Sequence, residues 1–195
     1  MKKTLLTLSC FVLMAAMPCQ AQESDYTDYR DEIELYAGTT SMVQGLVGIF
    51  VDIAKAIGGT QESRRYGTYG VGYAHEFLPW LSVTGKFLYE GYDNLVYTDK
   101  EKTTLERKYL TSAITVMPGV RFTYLNRKYV RLYSSIDLGA TYMTDNDTKN
   151  EPLSQCVFAF NVTPIGVQAG NRVYGLAECN LGSDAIFKIG LGVKF

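Results

Sequence analysis

Eight stretches between residues 32 and 195 alternate apolar and polar side chains with a period of two, the signature of β-strands whose two faces meet different surroundings. The last stretch, "AIFKIGLGVKF" (185–195), shows it most plainly. Phe195, Val193, Leu191, Ile189, Phe187 and Ala185 share one side, and Lys194, Gly192, Gly190, Lys188 and Ile186 the other. The first, "EIELYAG" (32–38), opposes Ile33, Leu35 and Ala37 to Glu32, Glu34 and Tyr36. The same two-sidedness recurs at 66–77, 81–92, 109–125, 129–143, 155–168 and, more weakly, 172–181.

The count is even and the connections differ by end. "LPW", "NRK" and "AGN" are short, whereas the segments after the first, third and fifth strands run to about 27, 16 and 11 residues, and only the last connection, "GSD", breaks the pattern by being short. Short turns at one end and longer loops at the other predict an all-β fold: an eight-stranded, antiparallel, up-and-down transmembrane β-barrel with both termini at the short-turn end. Strands of about 9–11 residues cross a bilayer when tilted. Pro118 and Pro164 lie inside strands, where proline cannot donate to the ladder, so bulges are predicted at "MPGV" and "TPIGV", with the facing of Ile165 and Val167 switching at Pro164.

Residues 1–21 read as a secretory signal peptide: Lys2 and Lys3, the apolar run "TLLTLSCFVLMAAM", then a small residue, Ala21, before the cut. Residues 22–31 read as a short acidic leader and 32–195 as the barrel domain. Taking 21 residues and two lysines from the chain leaves 174 residues, 17 basic against 20 acidic, a net charge near −3 that argues against a nucleic-acid partner. The best helical candidate for a membrane span, "MVQGLVGIFVDIAKAIG", is 17 residues long and carries Asp52 and Lys55, short of the roughly 20 apolar residues required.

The faces differ in charge. The mixed face carries five bases (Lys86, Arg121, Arg131, Lys188, Lys194) and five acids (Glu34, Glu76, Glu90, Asp137, Glu178), interleaved with Gly70, Gly72, Gly119, Gly139 and Gly190. A narrow lumen demands small residues for room and paired charges for compensation, because an unpaired buried charge is costly. A soluble barrel, polar outside, has no such need for balance. Aromatics gather at both ends: Trp80, Tyr124 and Tyr129 by the short turns, Tyr66, Tyr89, Tyr92, Tyr109 and Tyr142 by the long loops, as interfacial girdles would.

The phrases "VTPIGVQAG", "VYGLAECNLG", "YLNRKYVRLYSSIDLGATY" and "FKIGLGVKF" resemble a family of small outer-membrane β-barrel proteins of Gram-negative bacteria, OmpX/OmpA-like in architecture, across essentially the whole mature chain. The resemblance implies an outer-membrane location. It also implies that Phe187, Ile189, Leu191, Val193 and Phe195 form a C-terminal signal read by the barrel assembly machinery.

Few residues invite chemistry. His75, the one histidine, shares a face with Tyr73 and Phe77 two residues from a short turn, a girdle position and not a catalytic one. No Cys/His cluster suggests a metal, and no motif suggests a cofactor. A tight turn at 169–172 sets Cys156 opposite about 185 and Cys179 opposite about 162, roughly 20 Å out of disulfide register, so both are read as free, lipid-facing thiols. In the first long loop, 41–58 reads as a helix on which Met42, Leu46, Ile49, Ile53 and Ile57, with Phe50 beside them, are apolar. Such a helix plugs the mouth, lies in the outer leaflet or docks a lipid or protein partner. The expected function is non-enzymatic: an integral outer-membrane barrel, in contact with outer-membrane lipid, with a structural or surface-interaction role through its loops. The alternatives are a lipid-acting barrel enzyme and a small-solute binder or narrow channel.

Overall fold

The computed structural model describes residues 29–41, 61–97, 105–147 and 153–195. They form eight strands: β1 (Asp31–Gly38), β2 (Gln61–Leu78), β3 (Leu81–Tyr97), β4 (Leu105–Asn126), β5 (Val130–Asp147), β6 (Leu153–Gly170), β7 (Val173–Gly182) and β8 (Phe187–Lys194). Each pairs antiparallel with its sequence neighbour, and β8 closes on β1 from Glu32↔Lys194 to Gly38↔Lys188. Backbone bonds seal the seam at the short-turn end: Asp31 N–H to the Phe195 carbonyl (3.1 Å) and Phe195 N–H to the Asp31 carbonyl (2.9 Å). Closure pairs the first strand with the last and removes the free edges along that seam.

The alternation fixes which way the sheet curls, and the result inverts a water-soluble protein. Among the described residues, 26 polar or charged side chains are buried against ten hydrophobic ones, while 31 large hydrophobics are exposed. Glu32, Glu34 and Tyr36 point inward from β1, and Ile33 and Leu35 outward. Eight strands enclose an interior narrow enough for side chains to fill. Near mid-height Tyr36, Leu88, Met117 and Ala159 pack into an apolar cluster inside the lumen.

Several local expectations change. The strands β2 to β6 run 17–22 residues, well past the alternating stretches, whereas β1, β7 and β8 have 8–10. The extensions ("QESRR", "DNLVY", "LERKY", "TDND") lack a two-faced pattern, because a ladder beyond the apolar band needs backbone partners but no apolar side. The long connections therefore shrink to 39–60, 98–104 and 148–152. Pro118 makes no bulge: it pairs with Gly85 in unbroken register, and Val116↔Ala140 and Gly119↔Asp137 keep one register around it. Opposite it, Gly139 lets the β5 backbone close against Val116 and Met117, where a Cβ would collide. Pro164 does mark a bulge. The register shifts on both sides of β6, between Tyr133 and Ser135 and between Val162 and Ile165. Inward positions pass from Asn161 and Thr163 to Gly166 and Gln168, leaving Ile165 outside.

Ala185 is a correction. It is fully buried and bridges Ser41, so β8 begins only at Phe187 and the outward row is Phe187, Ile189, Leu191, Val193 and Phe195. The segment 42–58, with Met42, Leu46, Ile49, Phe50, Ile53 and Ile57, lies outside the described residues, as does 1–21.

Candidate functional site

The lumen is where the sequence concentrated its charge, and the fold brings those residues together in two linked groups. Toward the short-turn end, Arg121 reaches from β4 to β1, with Nη1 3.2 Å from Glu32 and Nη2 2.8 Å from Glu34. Arg131 on β5 sits 2.6 Å from Glu32 and 3.3 Å from Glu76. Gln168 and Tyr174 donate to both Glu32 and Glu34, so each acid is shared among several donors. Lys194 completes the layer, 4.0 Å from Glu32 with its ammonium over the Tyr174 ring.

At the next level Lys86 pairs with Asp137 at 2.7 Å. Lys188 pairs with Glu178 at 2.7 Å and Asp184 at 2.9 Å. Lys86 is 3.7 Å from Asp184 and 4.0 Å from Glu178, so two lysines and three acids form one cluster. Thr84, Ser135 and Asn161 donate to Asp137 as well. Tyr133 joins the layers: its ring lies under the Arg121 guanidinium at 4.4 Å and its hydroxyl donates to Glu178 at 2.6 Å. These pairs are almost wholly buried, and charge-assisted contacts in low dielectric tie the strands together. Glycine makes the room. The Tyr133 ring lies where Gly166 would carry a Cβ, and the Tyr174 ring covers Gly192 in the same way.

Glu90 stands apart from the charge clusters. It takes the Ser41 N–H at 3.1 Å, the Ser41 hydroxyl at 3.4 Å and the Thr68 hydroxyl, and makes no ion pair among the described residues. It fastens the start of the first long connection to the barrel wall. Charge balance alone does not distinguish it from its neighbours. Two acids of the network were absent from the balanced set. Glu32 stood on the correct face by alternation. Asp184 was hidden in the "GSD" turn, where the backbone bends before β8 and the alternation gives no facing.

His75 is at the short-turn rim, its Nδ1 2.8 Å from Asp31, with Tyr73 also donating to Asp31 and Phe77 edge-on at 4.8 Å. Cys156 and Cys179 are free, but the register between β6 and β7 differs from expectation by about three residues: Cys179 faces Ile165 and not 162, and Cys156 lies beyond the end of β7, beside Tyr142. The Pro164 bulge and the tight Gly170–Val173 turn account for the shift. Trp80 stacks on Phe122, and Tyr66, Tyr89, Tyr124, Tyr129 and Tyr142 are exposed at the two ends of the apolar band. Among the described residues no group of His, Cys, Asp and Glu is placed to hold a metal ion.

No protein-family model matches the chain, and no curated protein matches it in sequence. Solved structures do match in shape. The N-terminal β-barrel domain of Pseudomonas aeruginosa OprF superposes with a TM-score of 0.53 at 12% identity, over 86% of this chain and 98% of that one. Two crystal structures of Ail, the attachment invasion locus protein of Yersinia pestis, one in complex with the heparin analogue sucrose octasulfate, give TM-scores of 0.46 and 0.44 at 15% and 16% identity, with the same coverage. The fold is therefore the closed eight-stranded barrel of OmpX/OmpA-like outer-membrane proteins.

Proposed function

We propose that the chain is an integral barrel of a Gram-negative outer membrane, non-enzymatic, with a structural or surface-interaction role exercised from its long-loop end. The observation that carries this is the outer face: rows such as Phe187, Ile189, Leu191 and Val193 are exposed by 44–70% among the described residues and call for an apolar solvent. The lumen supports a closed barrel, because ion pairs and the apolar cluster of Tyr36, Leu88, Met117 and Ala159 occupy its axis. His75 supports the non-enzymatic reading, being tied to Asp31 at the turn end, away from the outer rim where a lipid hydrolase would work. The outward row ending at Phe195 is suited to recognition by barrel assembly machinery.

Separation of inner and outer membranes on a density gradient tests this, followed by protease treatment of intact cells. The chain is expected in the outer-membrane band, with cleavage confined to the long connections. Recovery in the periplasmic fraction would reject it.

A further inference from the structure

Resting on the membrane reading above, the geometry points to the short-turn rim as a binding surface for anionic phospholipid headgroups of the leaflet it meets. The exposed bases there are Arg30 before β1, Arg127 and Lys128 in the β4–β5 turn, and Arg172 in the β6–β7 turn. The one acid outside the lumen at this end, among the described residues, is Asp31, which is already engaged by His75 and Tyr73. The long-loop end differs. By sequence, segments 42–66, 93–109 and 144–153 hold eight bases and nine acids and so carry no basic excess.

The bases sit where phosphates would be. The Lys128 ammonium is 5.6 Å from the Tyr129 ring and the Arg172 guanidinium 5.4 Å from the Tyr29 ring, just beyond an aromatic belt that includes Trp80 and Tyr124. Long basic side chains lay their stems on such aromatics and raise their charge to the headgroup plane. The β4–β5 and β6–β7 turns are two strands apart, about 10 Å, so separate phosphodiesters can be engaged side by side. The β2–β3 turn, Pro79–Trp80, is neutral and interrupts the ring of bases.

The test uses the full chain in phosphatidylcholine vesicles carrying a trace of spin-labelled phosphatidylglycerol or spin-labelled phosphatidylcholine. Electron paramagnetic resonance reads the fraction of each lipid slowed at the protein surface. Each basic side chain near an anionic surface gives roughly a fivefold preference before screening, so the phosphatidylglycerol label should be favoured at least about threefold at low salt. The preference should vanish in the R30Q/R127Q/K128Q/R172Q variant and persist in R64Q/R65Q at the other end of β2. Equal slowing of both lipids would overturn the inference, as would a preference lost only in R64Q/R65Q. So would a preference that appears only after Glu23, Asp25 and Asp28 are neutralised, which would make the acidic leader the occupant of the rim. Absence of any slowed lipid would instead reject the membrane reading itself.

Discussion

Ile136 and Asp137 are adjacent on β5 and live in opposite solvents, which makes the outer face testable with one substitution. Ile136 points outward, 47% exposed, with Val120 and Val162 directly across on the two neighbouring strands. It lies about midway between Tyr129 and Tyr142, the exposed aromatics at either end of the strand's apolar stretch. An arginine at the bilayer midplane costs about 2–4 kcal/mol in a barrel of this kind, against about 0–1 kcal/mol near an interface. Ile136→Arg should therefore destabilise the folded barrel by about 3 kcal/mol, and Val130→Arg, beside the turn, by less than about 1 kcal/mol. Urea titration of the protein in short-chain phosphatidylcholine vesicles measures both. The single tryptophan, Trp80, reports folding from another part of the barrel. If the outer face met water, both substitutions would fall within about 0.5 kcal/mol of neutral. Equal costs at the two positions would refute the assignment of lipid to that face.

The same titration reads the lumen. Asp137→Asn removes the charge that holds Lys86 at 2.7 Å and should cost about 3 kcal/mol, because Lys86 stays buried with only its longer contacts to Asp184 and Glu178; a loss under about 1 kcal/mol would show the pair to be idle. Glu90→Gln should stay within about 1 kcal/mol, since an amide oxygen still accepts the Ser41 N–H and no cation is abandoned. Gly166→Ala should cost about 1–3 kcal/mol by pushing the Tyr133 ring off its seat, visible as a loss of near-ultraviolet circular dichroism. Cys156 and Cys179 should both react with a membrane-permeant maleimide, with identical gel mobility before and after reduction.

The sequence made the facing legible because alternation is a direct readout of the pleat: every inward charge of the balanced set, from Glu34 to Lys194, is buried. It was silent where that readout stops. The extensions of β2 to β5 beyond the alternating stretches lack a period-two pattern in sequence, so nothing there marks where pairing ends. Ala185 continues the alternation on paper, yet the backbone turns at Ser183 and Asp184 and carries it inside. Pro118 and Pro164 look alike as sequence, "MPGV" beside "TPIGV", and only one bulges. The difference is tertiary: the register is unbroken around Pro118, where Gly139 lets β5 close against Val116 and Met117, and shifts on both sides of β6 at Pro164. The partners within the lumen were equally out of reach. Parity places Arg121 and Glu34 on one face, but their meeting across the barrel depends on its circumference and stagger.

The central claim is that this closed barrel sits in a membrane, with its apolar face toward lipid. The most direct measurement takes carbonate-washed outer membranes and compares gel migration with and without boiling. The account predicts that the chain remains with the membranes and that the unboiled band migrates differently from the boiled one, as a barrel intact in detergent would. Release by carbonate, together with a single mobility, would contradict it.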